Sequence, residues 1–240
     1  MTPPLVLVHG FLGGGKQWDH VVDALPNLDI LAPDLPGFGD NNRLSPCTSI
    51  NQMARYIVEK ADAEGIFEFD LLGHSMGGMI AQEIALEYPS RIRKLVLYST
   101  GSIGALLGRF ETIETSKQRA KDDGVAMTAG RISATWYRDF EKSPYHANCA
   151  EIARQASPAA LQSGLDAMSG WNRQDDINQI KSPTLIVWGD QDRTYSREQV
   201  NILNRQIKGS CLKIIPNSSH AVHDEQKDQF IDLISKFLLE

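Results

Sequence analysis

Ser75 stands in the run FDLLGHSMGGMIAQEIAL, between an apolar segment of strand length and a helical one, with Gly73 and Gly77 two residues to either side. The spacing G-x-S-x-G suits a serine held at a sharp strand-to-helix turn with its hydroxyl exposed, and the flanking positions must be small because strand and helix crowd there. GHSMGG could also be an ordinary tight turn, but partners for a nucleophile follow downstream. A serine hydroxyl attacks a carbonyl only when a base takes its proton, and the base needs a carboxylate to fix its tautomer and stabilise its charge. LIVWGDQDRTY supplies Asp190 and Asp192, and LKIIPNSSHAVHDE supplies His220 and His223, each pair just past a strand-like run. The chain order is serine, acid, histidine.

Within those loops Asp192, three residues beyond Gly189, has room to curl back and is the expected acid, while Asp190 at the strand end would support the turn. His220 lies in the loop itself and is the expected base. His223 leans toward the next helix, where a solvated or capping role is expected. His9 and His74 should pack or hydrogen-bond beneath the loops, and His20 and His146 should lie at the surface or in a cap.

The attacked carbonyl oxygen becomes an anion that needs donors. HGFLGGGKQW offers two readings. Gly10, Gly15 and Lys16 have the spacing of a phosphate-binding loop, yet Gln17 stands where a Ser or Thr should hold Mg²⁺, and Asp34 is a poor magnesium carboxylate. The other reading is a turn whose backbone faces the reaction centre, with the Phe11 N–H as one oxyanion donor and the Met76 N–H, at a helix start, as the other. Lys16 is then a solvent residue.

These groups need a scaffold. Apolar runs at Leu5 to Val8, Asp29 to Ala32, Phe69 to Leu72, Leu95 to Tyr98, Thr184 to Trp188 and Leu212 to Ile215 read as strands covered on both faces. Helical patterns at Trp18 to Leu25, Ile50 to Glu64 with Ser49 as N-cap, Met76 to Tyr88, Arg197 to Gln206 and Lys227 to Leu239 alternate with them. The alternation predicts an α/β fold, a mainly parallel sheet flanked by helices. Residues 101–182 break the rhythm, with helical patterns at Ile103 to Lys121, Val125 to Phe140, Ala147 to Gln155 and Pro158 to Met168. They read as a helical cap inserted into a core of residues 1–100 and 183–240, over the strand ends where such sheets place their sites. In that cap Trp136, Tyr137, Phe140 and Trp171 are candidates to bind substrate, or else to form the cap's own core.

Composition narrows the partners. Twenty-four Lys and Arg against thirty Asp and Glu leave a charge of −6 without a basic stripe, which argues against nucleic acid. Cys47, Cys149 and Cys211 form no CxxC pattern, so neither a disulfide framework nor a zinc site is expected, only reduced, buried thiols. No apolar run reaches bilayer length and the chain enters a strand almost at once, so no membrane is expected and the cytoplasm is the expected compartment.

Through HGF at 9 to 11, DLPGFGDN at 34 to 41, GHSMGG at 73 to 78, GDQD at 189 to 192 and SSHAVHDEQ at 218 to 226, the chain resembles the α/β-hydrolase superfamily. Within it the chain is most similar to the 3-oxoadipate enol-lactonase and small carboxylesterase group, through TWYRDF at 135 to 140 and SPAALQSGLDAMSGWNRQD at 157 to 175. The resemblance implies hydrolysis of an ester or lactone by Ser75, His220 and Asp192, without metal or organic cofactor. Members generally begin with an antiparallel hairpin that this chain lacks, so six strands are expected. An enol-lactone bearing a carboxylate would want a cap cation, for which Arg109, Arg131, Arg138 and Arg173 are available, although for each taken singly a solvated surface position is the stronger expectation. Other expectations compatible with the same residues are carbon–carbon cleavage or elimination by the same three side chains, and a ligand receptor built on the hydrolase fold.

Overall fold

The computed structural model describes residues 3–105 and 111–240. Its strands are β1 (Leu5–Val8), β2 (Ile30–Leu31), β3 (Phe69–His74), β4 (Ile92–Tyr98), β5 (Thr184–Gly189) and β6 (Cys211–Ile215). They form one sheet in the order β2-β1-β3-β4-β5-β6, with every pairing parallel. Strands β1, β3 and β5 are buried along their whole length, which is why their sequences are unbroken apolar runs instead of alternating ones. At the edges the signal weakens: β2 keeps only two paired residues, and β6 alternates between exposed and covered positions.

Helices cover both faces. Helices α1 (Asp19–Ala24), α2 (Ile50–Ala63) and α3 (Met76–Glu87) follow the first three strands in turn; α4 (Ile113–Ala134), α5 (His146–Arg154) and α6 (Pro158–Ser169) come next, and α7 (Arg197–Gln206), α8 (Val222–Glu225) and α9 (Lys227–Leu239) belong to the C-terminal part. One core cluster joins Met53 and Ile57 of α2 and Ile80 and Ile84 of α3 to one sheet face. The other joins Trp18 and Val21 to Phe230, Ile234 and Leu238 on the opposite face. Serine caps set two helix starts: Ser49 accepts from the Gln52 N–H, and Ser196 forms a reciprocal box with Gln199.

Between β4 and β5 lie α4, α5 and α6. The first helical pattern starts later than its sequence suggests, because Ile103 makes an antiparallel bridge with Asn172 instead of opening a helix. A kink at Gly124, whose φ of 74° and ψ of 176° are non-helical, then separates this pattern from the second, so α4 consists of two helical segments, as the two patterns predict. That helix stops at Ala134, short of Phe140, and the residues between form turns in which Phe140 itself has φ 51°.

The cysteines depart from expectation. All are free thiols, but Cys211 is exposed at the start of the edge strand, and Cys47 and Cys149 are half-buried. No helix among the described residues is long and apolar enough to cross a membrane.

Candidate active site

Strand β3 delivers the chain to Ser75, and α3 leaves from it. Ser75 has φ 56° and ψ −117°, a conformation that costs a non-glycine residue on the order of 1–3 kcal/mol and persists only where neighbours enforce it. They do so here. A side chain at Gly73 would collide with the Gly77 carbonyl, and one at Gly77 with the carbonyl of Val8 on β1. The Ser75 N–H donates to the Tyr98 carbonyl (2.9 Å), and the Ser75 carbonyl accepts from the Thr100 hydroxyl (2.8 Å) and the Gly78 N–H (2.9 Å).

The loops after β5 and β6 bring the expected acid and base together. His220 Nδ1 donates to Asp192 Oδ2 at 3.0 Å, which leaves Nε2 with a lone pair, and both side chains are fully buried. The other Asp192 oxygen accepts the N–H groups of Thr194 (2.7 Å) and Tyr195 (3.2 Å). Asp190 is directed elsewhere: its Oδ1 receives the Ser218 N–H at 3.4 Å. Tyr195 lies nearly parallel to the His220 ring with centroids 5.8 Å apart, and Trp136 covers it from the cap at 6.0 Å.

His74, hydrogen-bonded beneath the loop as expected, and Tyr98, whose role sequence reasoning missed, hold His220 in place. The His220 carbonyl accepts from His74 Nε2 (3.2 Å) and from the Tyr98 hydroxyl (3.1 Å). Tyr98 also accepts the His223 N–H (3.0 Å) and lies 2.8 Å from His223 Nδ1. His223 is thus a buried network member, not the solvated or capping residue expected. Burial moves its pKa down to about 4 and holds His74 well below the ordinary imidazole range, so both are neutral near pH 7. His74 precedes Ser75, and its ring lies 4.7 Å from that of His220, so the elbow and the histidine loop touch. No hydrogen bond joins the Ser75 hydroxyl to His220 among the described residues; such bonds are often long in ligand-free enzymes and tighten on substrate binding.

Around Ser75 lie two candidate donors. A Cβ at Gly10 would sit 3.1 Å from Ser75 Cβ, so the turn carrying Phe11 presses on the serine. Phe11 and Met76 are both buried, and neither N–H finds a protein acceptor among the described residues. Buried donors without partners are uncommon, and here both flank the serine, Met76 at the positive end of α3. The phosphate-loop reading fails on contacts. The Gly15 N–H that would meet a phosphate donates to Asp34 Oδ1 (2.6 Å), and Lys16 pairs with Asp40 (2.9 Å). Asp34, which also accepts the Asp40 N–H (2.8 Å), ties the two loops together.

The cap candidates separate. Trp136 and Tyr137 line a cavity of about 160 Å³, whose wall includes chain neighbours of the central residues, Leu12 beside Phe11, His74 beside Ser75 and Ala221 beside His220, but not those central residues themselves. Trp171 lies elsewhere, donating its indole N–H to Glu83 (2.6 Å), a fully buried carboxylate that Arg173 clasps through two nitrogens (2.7 and 2.9 Å). Phe140 is at the surface, 41% exposed beneath the Arg193 guanidinium. Neither lines the cavity, so the substrate-contact expectation passes to Trp136 and Tyr137. The arginines considered as cap cations are paired: Arg131 with Glu111, Arg138 with Glu225, Arg173 with Glu83 and Asp176. Arg109 lies outside the described residues. Among those residues no group of three or more His, Cys, Asp or Glu side chains could hold a metal ion.

Known proteins share this arrangement of elements. The family model for the alpha/beta hydrolase fold matches residues 3–227. A 2-hydroxy-6-oxo-2,4-heptadienoate hydrolase of Pseudomonas putida is 28% identical, over 98% of this chain and 88% of its own. A pimeloyl-[acyl-carrier protein] methyl ester esterase of Yersinia enterocolitica is 26% identical, over 97% of this chain and 92% of its own. Among solved structures, the enol-lactonase of Burkholderia xenovorans LB400 superposes with a TM-score of 0.91 at 22% identity, covering all of this chain and 92% of that one.

Proposed function

The chain belongs to the alpha/beta hydrolase fold family, and from that premise we propose that it is a serine hydrolase cleaving a carboxylic ester or lactone of a small molecule through Ser75, His220 and Asp192. The observation that carries this reading is the buried Asp192–His220 pair, one imidazole nitrogen committed and the other free, on the loop that touches the strained Ser75 elbow. His220 Nε2 takes the Ser75 proton as Oγ attacks the carbonyl carbon. The resulting oxyanion accepts from the Phe11 and Met76 N–H groups, and removing one such donor costs on the order of 10²–10³ in rate. His220 then protonates the leaving alkoxide, which departs as an alcohol. The acyl-serine is cleaved by water, whose proton His220 accepts and returns to Ser75 Oγ as the carboxylic acid leaves. Asp192 holds the tautomer and offsets the imidazolium charge throughout. The expected setting is the cytoplasm, with no metal or organic cofactor.

A second reading rests on the relative from P. putida. An oxo-heptadienoate contains a ketone and no ester, so its hydrolysis breaks a carbon–carbon bond, which the same three side chains could promote. One panel separates the readings: short aryl esters, unsaturated lactones and 1,3-dicarbonyl compounds, tested on the native chain and on Ser75→Ala. Ester or lactone turnover that falls by about 10³ or more in Ser75→Ala, with stoichiometric acylation of Ser75 seen by mass spectrometry, supports the first reading. Full ester activity in Ser75→Ala removes both.

A further inference from the structure

The cavity beside Ser75 and His220 carries a chemical preference in its wall. Its apolar part is Leu12, Trp136 and Ile152; its polar part includes Gln17, Asn148 and the carboxylate of Asp224. Asp224 is held in place because its Oδ2 accepts the Tyr137 hydroxyl at 2.7 Å. Its Oδ1 accepts no hydrogen bond among the described residues: the nearest recorded donor, His20 Nε2, is 3.9 Å away and gives its proton to the His223 carbonyl at 2.8 Å. A carboxylate oxygen with unused acceptor capacity therefore lines a small, partly apolar space.

The charges around it reinforce the preference. Asp19 adds a second carboxylate at the rim, and Lys16, the one cation of fixed charge among the described residues of the wall, is ion-paired with Asp40 outside it. His74 and His223 are neutral, and Cys149, its thiol pushed up by burial to about 12, stays protonated. An anion entering here would face Asp224 at short range in a poorly screened space, whereas a hydroxyl or amide N–H would satisfy Oδ1.

We infer that the substrate group seated in this cavity is an uncharged hydrogen-bond donor, a hydroxyl or amide N–H received by Asp224, and that the cavity discriminates against substrates carrying a carboxylate there. The inference rests on the proposed hydrolase reading for the placement of the substrate. It separates this chain chemically from the oxo-dienoate that names its P. putida relative, which carries a carboxylate. Selectivity of this kind comes as much from a charge placed against the wrong ligand as from contacts to the right one.

The test is a binding measurement that does not need turnover. Ketone analogues of simple esters, with the ester oxygen replaced by CH₂, are prepared in pairs that end in hydroxyl or carboxylate, on the acyl or the alcohol side, and titrated by calorimetry. The hydroxyl member of at least one pair should bind the native chain about 10-fold more tightly or better than its carboxylate partner. In Asp224→Asn the difference should shrink to about twofold, because the amide keeps the shape and accepts from Tyr137 but loses the charge. Carboxylate analogues that bind as tightly as the hydroxyl ones on both sides overturn the inference, as does discrimination that survives in a folded Asp224→Asn. Should Asp224→Asn fail to fold, Asn148→Asp, which adds a further carboxylate to the wall beside Asp224 and Asp19, should widen the native difference; a narrowing would overturn the inference. Selective binding without ester or lactone turnover would remove the hydrolase reading and leave the inference standing; turnover without selectivity would do the reverse.

Discussion

The Ser75 elbow and the His220 loop are built on opposite principles. At the elbow a handful of residues close together in sequence do almost everything: Gly73 and Gly77 let β3, α3 and β1 close up, and the backbone at Ser75 is strained into one conformation. The His220 loop has no such local code. The His220 imidazole is held by Asp192 from the β5 loop, its carbonyl by His74 from β3 and Tyr98 from β4, and the N–H of Ser219 by Glu225 Oε2 at 2.6 Å. A nucleophile must be presented at a fixed angle, which backbone geometry achieves alone. A base must keep one tautomer and one orientation while its charge changes, which takes side chains from several elements.

If that contrast is right, breaking the elbow should be the most damaging change of all. In Gly77→Ala a Cβ would run into the Val8 and His9 carbonyls, backbone atoms of a buried strand end that cannot swing aside. A loss of about 4 kcal/mol or more, or no soluble protein, is expected in urea denaturation. A near-native midpoint would show that the crowding at the elbow is relieved more easily than its geometry suggests.

The histidine side should instead be undone by protons. His223 and His74 are buried neutral, with pKa values below that of an exposed imidazole. The unfolded chain therefore binds more protons than the folded one as pH falls below about 6.5, and stability declines with it. The contribution of His223 is complete above about 6.5 and is lost progressively toward its folded value of about 4, by which point the loss amounts to about 3 kcal/mol. Urea midpoints measured from pH 7 to 4.5 should fall steeply, and less steeply in His223→Asn. Parallel curves for the two proteins would place the acid sensitivity elsewhere.

A smaller effect checks whether the elbow is independent of the cap. Trp171→Phe removes one of the donors to the buried Glu83 on α3 while leaving Arg173 and Asn51 in place. It should cost about 1–3 kcal/mol of stability. Labelling of Ser75 by an aryl phosphonate should proceed at the native rate; a slowed rate would mean that cap and elbow are coupled through α3.

The same contrast explains what was legible in the sequence. Strand β1, α7 and α9 fall at their expected ends, because buried parallel strands read as apolar runs, amphipathic helices carry a periodic apolar face, and α7 adds the Ser196 cap as punctuation. Ser75, Asp192 and His220 could be singled out because each sits at a fixed offset from a strand end. Tyr98 could not: as the last residue of an apolar strand it looks like core, and only the folded chain shows its hydroxyl under His220. Phe140 and Trp171 looked like pocket aromatics because residue type reports apolar character and not direction. The two helical patterns on either side of Gly124 were legible because that glycine takes a non-helical conformation and kinks α4 into two segments.

The smallest change, and the most discriminating, is Tyr98→Phe. It keeps the ring, its packing on Phe230 and His74, and the whole elbow, but removes the one hydroxyl that joins the His220 carbonyl to His223. If the base is positioned by long-range contacts, it should lose alignment with Ser75 while substrate binding is untouched. The expected outcome is a fall of about 10-fold in kcat, equivalent to about 1.4 kcal/mol, with KM within about twofold. Some stability should go as well, since the buried His223 N–H loses its acceptor, so the assay belongs well below the melting temperature. Reduced stability with unchanged kcat would make Tyr98 a packing residue and leave His74 alone to hold the His220 carbonyl. A rise in KM with kcat intact would instead mean that the loop shapes the cavity through Ala221, and the division between a locally coded nucleophile and a remotely held base would have to be redrawn.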